Sequence, residues 1–122
     1  MAVSIQDLID KKDGIVAGRT ATYDLETSIG TITVKKPSRA FVLEALGLSD
    51  AAESDAYMVL NMTAEPNLKD TELQKAYGCM DPLDIIGKLF DSGEAAAISK
   101  AIMKCAGYGD NIKAEVHEEA KN

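Results

Sequence analysis

Residues 20–36, TATYDLETSIGTITVKK, break the rhythm of the chain. Thr, Tyr, Ile and Val dominate them, and TITVK alternates apolar and polar residues with period two. ETSIG in the middle supplies turn residues and a glycine. The pattern predicts a β-hairpin, with residues 20–26 paired against 29–35. Ile32 and Val34 then share one face, and Thr31 and Thr33 the other. Two strands alone are marginal in water. The apolar face of this hairpin must therefore pack on helices or pair with another chain.

Helical spacing surrounds the hairpin. SIQDLID reads as a short helix capped by Ser4, with Asp7 placed for a capping box. Ile5, Leu8 and Ile9 share its apolar face, and Gly14 and Gly18 are expected to break it. Ser38 caps a second helix with Phe41, Val42, Ala45 and Leu46 as its stripe and Gly47 as its stop. AYMVLNMTA has strand propensity but helical length. It is read as a helix capped by Ser54 or Asp55 and ended by Pro66. Asp70 caps TELQKAY, whose apolar face is Leu73, Ala76 and Tyr77, and Gly78 stops it. Asp81-Pro82 starts PLDIIGKLF in the manner of a cap followed by proline. Asp91 and Glu94 read as a capping box for a last helix, with Ala95, Ile98, Ile102 and Cys105 as its stripe.

The chain has 122 residues, enough for one domain with a modest core. Aromatic residues make up 5% and Trp is absent, so that core must be aliphatic with some Met. The net charge is −7, from 13 basic and 20 acidic residues. Residues through Arg39 hold six basic and five acidic groups. The remainder holds seven and fifteen, a balance of −8. Such a surface argues against nucleic acid, whose phosphates need clustered Lys and Arg. The apolar runs are too short to span a bilayer. Two well-separated cysteines make no disulfide scaffold, and the N-terminus lacks a signal-like apolar run. A soluble, cytosolic protein is expected.

Candidate chemistry is thin. Cys79 as a nucleophile needs a base and an electropositive setting. The one histidine, His117, lies far along the chain among acids, and Lys75 and Asp81 roughly cancel beside Cys79. A small packed residue between two helices is the better reading, and Cys105 falls on an apolar stripe. Capping explains Asp81 and Asp84 better than a carboxylate pair does. His117 with Glu115, Glu118 and Glu119 lacks the spacing of a metal site. Gly107-Tyr108-Gly109 follows a helix where a dinucleotide loop follows a strand. No catalytic, cofactor-binding or metal residue is assigned, and no enzyme is expected. Met58, Met62, Met80 and Met103 suit either core filling or an adaptable binding surface.

The most individual stretch is EPNLKDTELQKAYGCMDPLDIIGKLFDSGE. Together with YDLETSIGTITVKKPSRAFVLEALGLSD before it, it resembles the tail assembly chaperones of long-tailed bacteriophages and of prophages in Gram-positive hosts. In that family a helix ending in a Glu-Pro step leads to an Asn-Leu-Lys or Asp-Leu-Lys turn, a Glu-Leu-Gln helix, an aromatic-Gly step and a Pro-Gly-Glu or similar helix start. Ser92 replaces that last proline here. The resemblance implies a non-enzymatic protein without cofactors. It implies binding to the tape measure protein, which sets tail length, and keeping it soluble while tail tube subunits polymerise around it. The tail tube protein is a further possible partner. The resemblance places the protein in the host cytoplasm and outside the mature virion. The alternative is a structural minor tail protein retained in the particle.

The expected fold is α+β: a mostly helical single domain over 1–109, with an N-terminal β-hairpin packed on a small helical bundle. Residues 110–122 are expected to form a polar, mobile tail. Partner binding is assigned to Met80, Leu83 and Phe90, on the helix of residues 82–90 and its neighbour, with core packing of the same residues as the competing reading. An open hairpin edge makes self-association an option.

Overall fold

The hairpin forms from strands β1 (Thr22–Thr27) and β2 (Gly30–Lys35). Both begin one or two residues later than the alternation suggests. The structure is a computed structural model and describes residues 1–109 and 112–117. Tyr23 pairs with Val34 and Leu25 with Ile32 across an antiparallel register. Gly30 closes the turn at φ +117°, a region that residues with a Cβ avoid. Ile32 and Val34 are buried, as the period-two pattern requires. On the opposite face, the Thr31 and Thr33 hydroxyls donate to Glu26 and Asp24 at 2.6 and 2.8 Å.

A third strand corrects the sequence reading. β3 (Thr63–Glu65) pairs antiparallel with β2, giving the sheet order β1-β2-β3. The sequence assigns these residues to the end of a helix. That helix stops at Met62 because Thr63 turns extended and donates its hydroxyl to the Val59 carbonyl at 2.7 Å. Three residues are too few to show an alternation, and their partner β2 is distant in sequence.

Seven helices complete the described residues. In α1 (Ile5–Asp10) Ser4 and Asp7 form the expected capping box, at 3.1 and 3.3 Å. α2 (Lys12–Gly18) contains Gly14 and Gly18, so the glycines do not break it; the break falls at Lys11 (φ −89°, ψ 0°). Glycine in a helix costs only about 1 kcal/mol against alanine, which neighbours can offset. Ser38 caps α3 (Arg39–Leu46) through Phe41 N–H at 3.1 Å. α4 (Ala51–Met62) starts earlier than expected, capped by Asp50. Ser54 instead donates to the Ala45 carbonyl at 2.8 Å and ties α3 to α4. Phe41 stacks on Tyr57 at 5.3 Å across the same joint.

Asp70 caps α5 (Thr71–Ala76) through Leu73 N–H at 3.0 Å. Its apolar face is narrower than expected: Leu73 is half-buried, whereas Ala76 and Tyr77 are exposed. Gln74 explains why this segment holds together. Its amide donates to the carbonyls of Leu68 and Pro82 at 2.8 and 3.1 Å, joining the turn before α5 to the approach of α6 (Asp84–Leu89). Gly78 ends α5 at φ +67°. Asp81 accepts from Leu83 N–H, and Asp84 from Asp81 N–H, so both carboxylates hold the turn ahead of α6. The helix itself begins at Asp84, later than Asp81-Pro82 suggests, and Leu83 at its N-cap gives no side-chain cap.

α7 (Ser92–Cys105) lies against α4, α6 and the sheet. Ala95, Ile98 and Ile102 are buried along its stripe. The expected capping box at its start is absent, because Asp91 makes no side-chain cap. Glu94 instead accepts from the Ser28 amide at 2.8 Å and the Ser28 hydroxyl at 2.5 Å. The residue that would cap its own helix pins the hairpin turn to it. The core is mostly aliphatic, with Met58, Met62 and Phe90 filling it. Residues 112–117 are exposed and without regular structure, with Lys113 and Glu115 3.3 Å apart. The remainder of the expected tail, residues 110, 111 and 118–122, lies outside the described residues.

Candidate docking surfaces

No group of three or more His, Cys, Asp or Glu side chains among the described residues could hold a metal ion. Glu118 and Glu119, half of the weak metal pattern, lie outside those residues. Cys79 is half-buried against the core, in the joint between α5 and α6. Burial pushes the Cys105 thiol up, against a smaller opposing pull from Lys36. Neither cysteine has a histidine beside it in sequence to act as a base.

What the fold does offer is apolar surface. The first such surface is a groove between α4 and α6. Ala52 and Ala56, one turn apart on α4, face Gly87 on α6, and these small residues keep the helices' sides low. A Cβ at Gly87 would meet nothing within 4 Å. One end of the groove is a cavity of about 610 Å³ lined by Met80 and Leu83. The other is a cavity of about 440 Å³ lined by Ile86, Phe90 and Ala95. Ala52, Ala56 and Gly87 line both.

The three residues assigned to partner binding thus fall along one groove in unequal settings. Met80 is 96% exposed, held by its own N–H donating to Asp84 at 3.0 Å. Leu83 is half-buried. Phe90 is 4% exposed and belongs to the core, while still lining the groove. The backbone explains this: Phe90 leaves the helix at φ −129°, ψ 144°, and its ring turns inward.

Charge rims the Met80 end, with Asp50, Glu53, Asp84 and Lys88 around it. The backbone amides of Asp81 and then Met80 hold the Asp84 carboxyl below the usual aspartate range, with help from Lys88. A groove with an apolar floor and charged rims suits the apolar face of an amphipathic helix.

Two other apolar surfaces were not singled out in the sequence. Leu43 and Leu46 stand out from α3 at 60% and 65% exposure. Leu46 lines a cavity of about 430 Å³ with Met58, Met103 and Tyr108, between α4 and α7. The larger surface is at the N-terminus, where α1 and α2 bury no residue. Val3, Ile5, Leu8, Ile9, Ile15 and Val16 are all exposed. The stripe of Ile5, Leu8 and Ile9 was legible; that no described residue covers it was not. Among the described residues no helix is long and apolar enough to cross a membrane.

Residues 31–121 match the family model described as phage XkdN-like tail assembly chaperone protein. The match starts within β2, so α1, α2 and β1 precede it. The crystal structure of the protein yqbn is similar in fold, with a TM-score of 0.57 at 18% identity. The similarity covers 73% of this chain and 87% of that one. No curated protein sequence matches the chain.

Proposed function

The chain belongs to the phage XkdN-like tail assembly chaperone family, and we propose that it binds the tape measure protein. In this reading it keeps that long, largely helical partner soluble while tail tube subunits assemble around it. It acts without catalysis, in the host cytoplasm, and leaves before the virion is complete.

The observation that carries the reading is the α4–α6 groove, which lies within the family-matched segment and has Met80 standing free at its end. An unbranched thioether side chain repacks against varied apolar shapes at low cost. A partner with many similar amphipathic segments calls for that tolerance. Met80 and Leu83 make the contact, and Phe90 supports the groove from beneath. The surrounding acidic surface keeps the complex dispersed. The free edge of β1 offers strand addition as an accessory contact, and self-association would use the same edge.

Co-purification tests the reading. Affinity-tagged chain co-expressed with the tape measure protein should retain it, and Met80→Asp with Leu83→Asp should release it. Mass spectrometry of purified virions separates the chaperone from a minor tail protein. Abundant peptides of this chain in mature particles would favour the structural role and sink the chaperone reading.

A further inference from the structure

A basic cavity of about 630 Å³ lies where the end of α2, the β2–α3 link and the end of α7 meet. Arg19, Lys36 and Arg39 line it together with Ser38 and Tyr108, and among the described residues no carboxylate does. Among the described residues none of the three cations forms an ion pair. Lys36 is half-buried, its ammonium 5.8 Å above the Tyr23 ring. In a chain of net charge −7 this is a local surplus of positive charge.

The end of α7 accounts for only part of it. A helix C-terminus presents roughly half a negative charge, against three full cations. Among the described residues no ion pair offsets the rest. The cavity also adjoins apolar surface. Arg19 keeps helical backbone angles (φ −70°, ψ −26°), so it continues α2. Ile15 and Val16, four and three residues earlier, share its face. Both are exposed.

We propose that Arg19, Lys36 and Arg39, with Ile15 and Val16 beside them, form a docking site for an amphipathic helical segment that ends in carboxylates. The apolar face of the segment covers Ile15 and Val16, and its acidic end enters the cavity. A nucleic-acid backbone fits poorly, since three cations are few for a phosphate chain on a protein of net charge −7. The acidity elsewhere repels such a segment, so the cavity also fixes its direction. That the segment belongs to the tail partner rests on the chaperone reading; the site itself does not.

A labelled synthetic peptide with a leucine stripe and three terminal glutamates tests the site. A counterpart with glutamines there, and inorganic phosphate as competitor, complete the set. The full chain should bind the glutamate peptide saturably. Binding should weaken about tenfold for the glutamine peptide, and similarly for Arg19→Ala with Arg39→Ala. Lys11→Ala with Lys12→Ala should bind as the parent does. Circular dichroism melts of the variants should overlay, since Arg19 and Arg39 are exposed. Equal binding of the two peptides, or undiminished binding by the double arginine variant, overturns the proposal. Displacement by millimolar phosphate also overturns it, by making the cavity an inorganic anion site. Because no tail protein is used, failure here leaves the chaperone reading standing, and failure of co-purification leaves the cavity standing.

Discussion

The apolar stripe of α7 is buried and that of α1 is bare. Ile102 in α7 is fully buried, whereas Ile9 in α1 is 59% exposed. Both helices are amphipathic. The difference is what each meets: α7 has α4, α6 and the sheet around it, and α1 has α2 alone as a substantial neighbour. Amphipathic spacing forms a helix face; a second surface decides whether that face is core. The bare helices also precede the family-matched segment. Grouped exposed aliphatic side chains are the kind of surface that interaction sites use.

The strongest way to break the comparison is to truncate matched isoleucines. Ile102→Ala should cost about 2–5 kcal/mol through lost burial and a residual cavity. Ile9→Ala should change stability by less than about 0.5 kcal/mol. Urea unfolding of the two variants measures both, and equal losses would show that α1 is packed after all. Removing residues 1–18 should come next. The remaining chain should still melt cooperatively, within about 1 kcal/mol of the parent. Loss of the cooperative transition would make α1 and α2 part of the core.

Smaller effects sharpen the account of the body. Ser54→Ala removes the tie from α4 to the Ala45 carbonyl and should cost about 1 kcal/mol by urea unfolding. Asp70→Ala removes the α5 cap and should cost about the same. Glu94→Gln should have a modest effect, visible chiefly in its pH dependence. The Ser28 hydroxyl and then its amide hold the Glu94 carboxyl below the usual glutamate range. A depressed acid stabilises the fold above its unfolded pKa, and the contribution is lost as pH falls through the folded value. The parent should therefore lose melting temperature as pH drops through and below the glutamate range. Glu94→Gln should lose less over that window, and identical slopes would contradict the assignment.

Local features were legible in the sequence because their partners are three residues away. Ser4, Ser38 and Asp70 cap where their spacing says, and Gly78 stops α5 in the left-handed region, whereas Asp81 falls short of the α6 start, whose N-cap Leu83 has no side-chain cap. Features that depend on distant residues were not legible. β3 exists because β2 offers an edge, and Glu94 leaves its capping position because the Ser28 turn lies over it. The start of α4 was missed because Asp50, Ser54 and Asp55 are all chemically able to cap, and only the Ala45 carbonyl shows that Ser54 is taken. Of the candidate site, Met80 was legible as a residue between helix signals. Phe90 was not placed, because helical spacing assumes the helix continues through it.

The bare surfaces have meaning only if a partner covers them, and the soluble fraction of the tape measure protein reads this most directly. Co-expressed with the parent chain, that protein should move from the pellet to the supernatant. The move should fail with Met80→Asp and Leu83→Asp, although the variant itself stays folded. A tape measure protein equally insoluble with and without the parent chain would contradict the account.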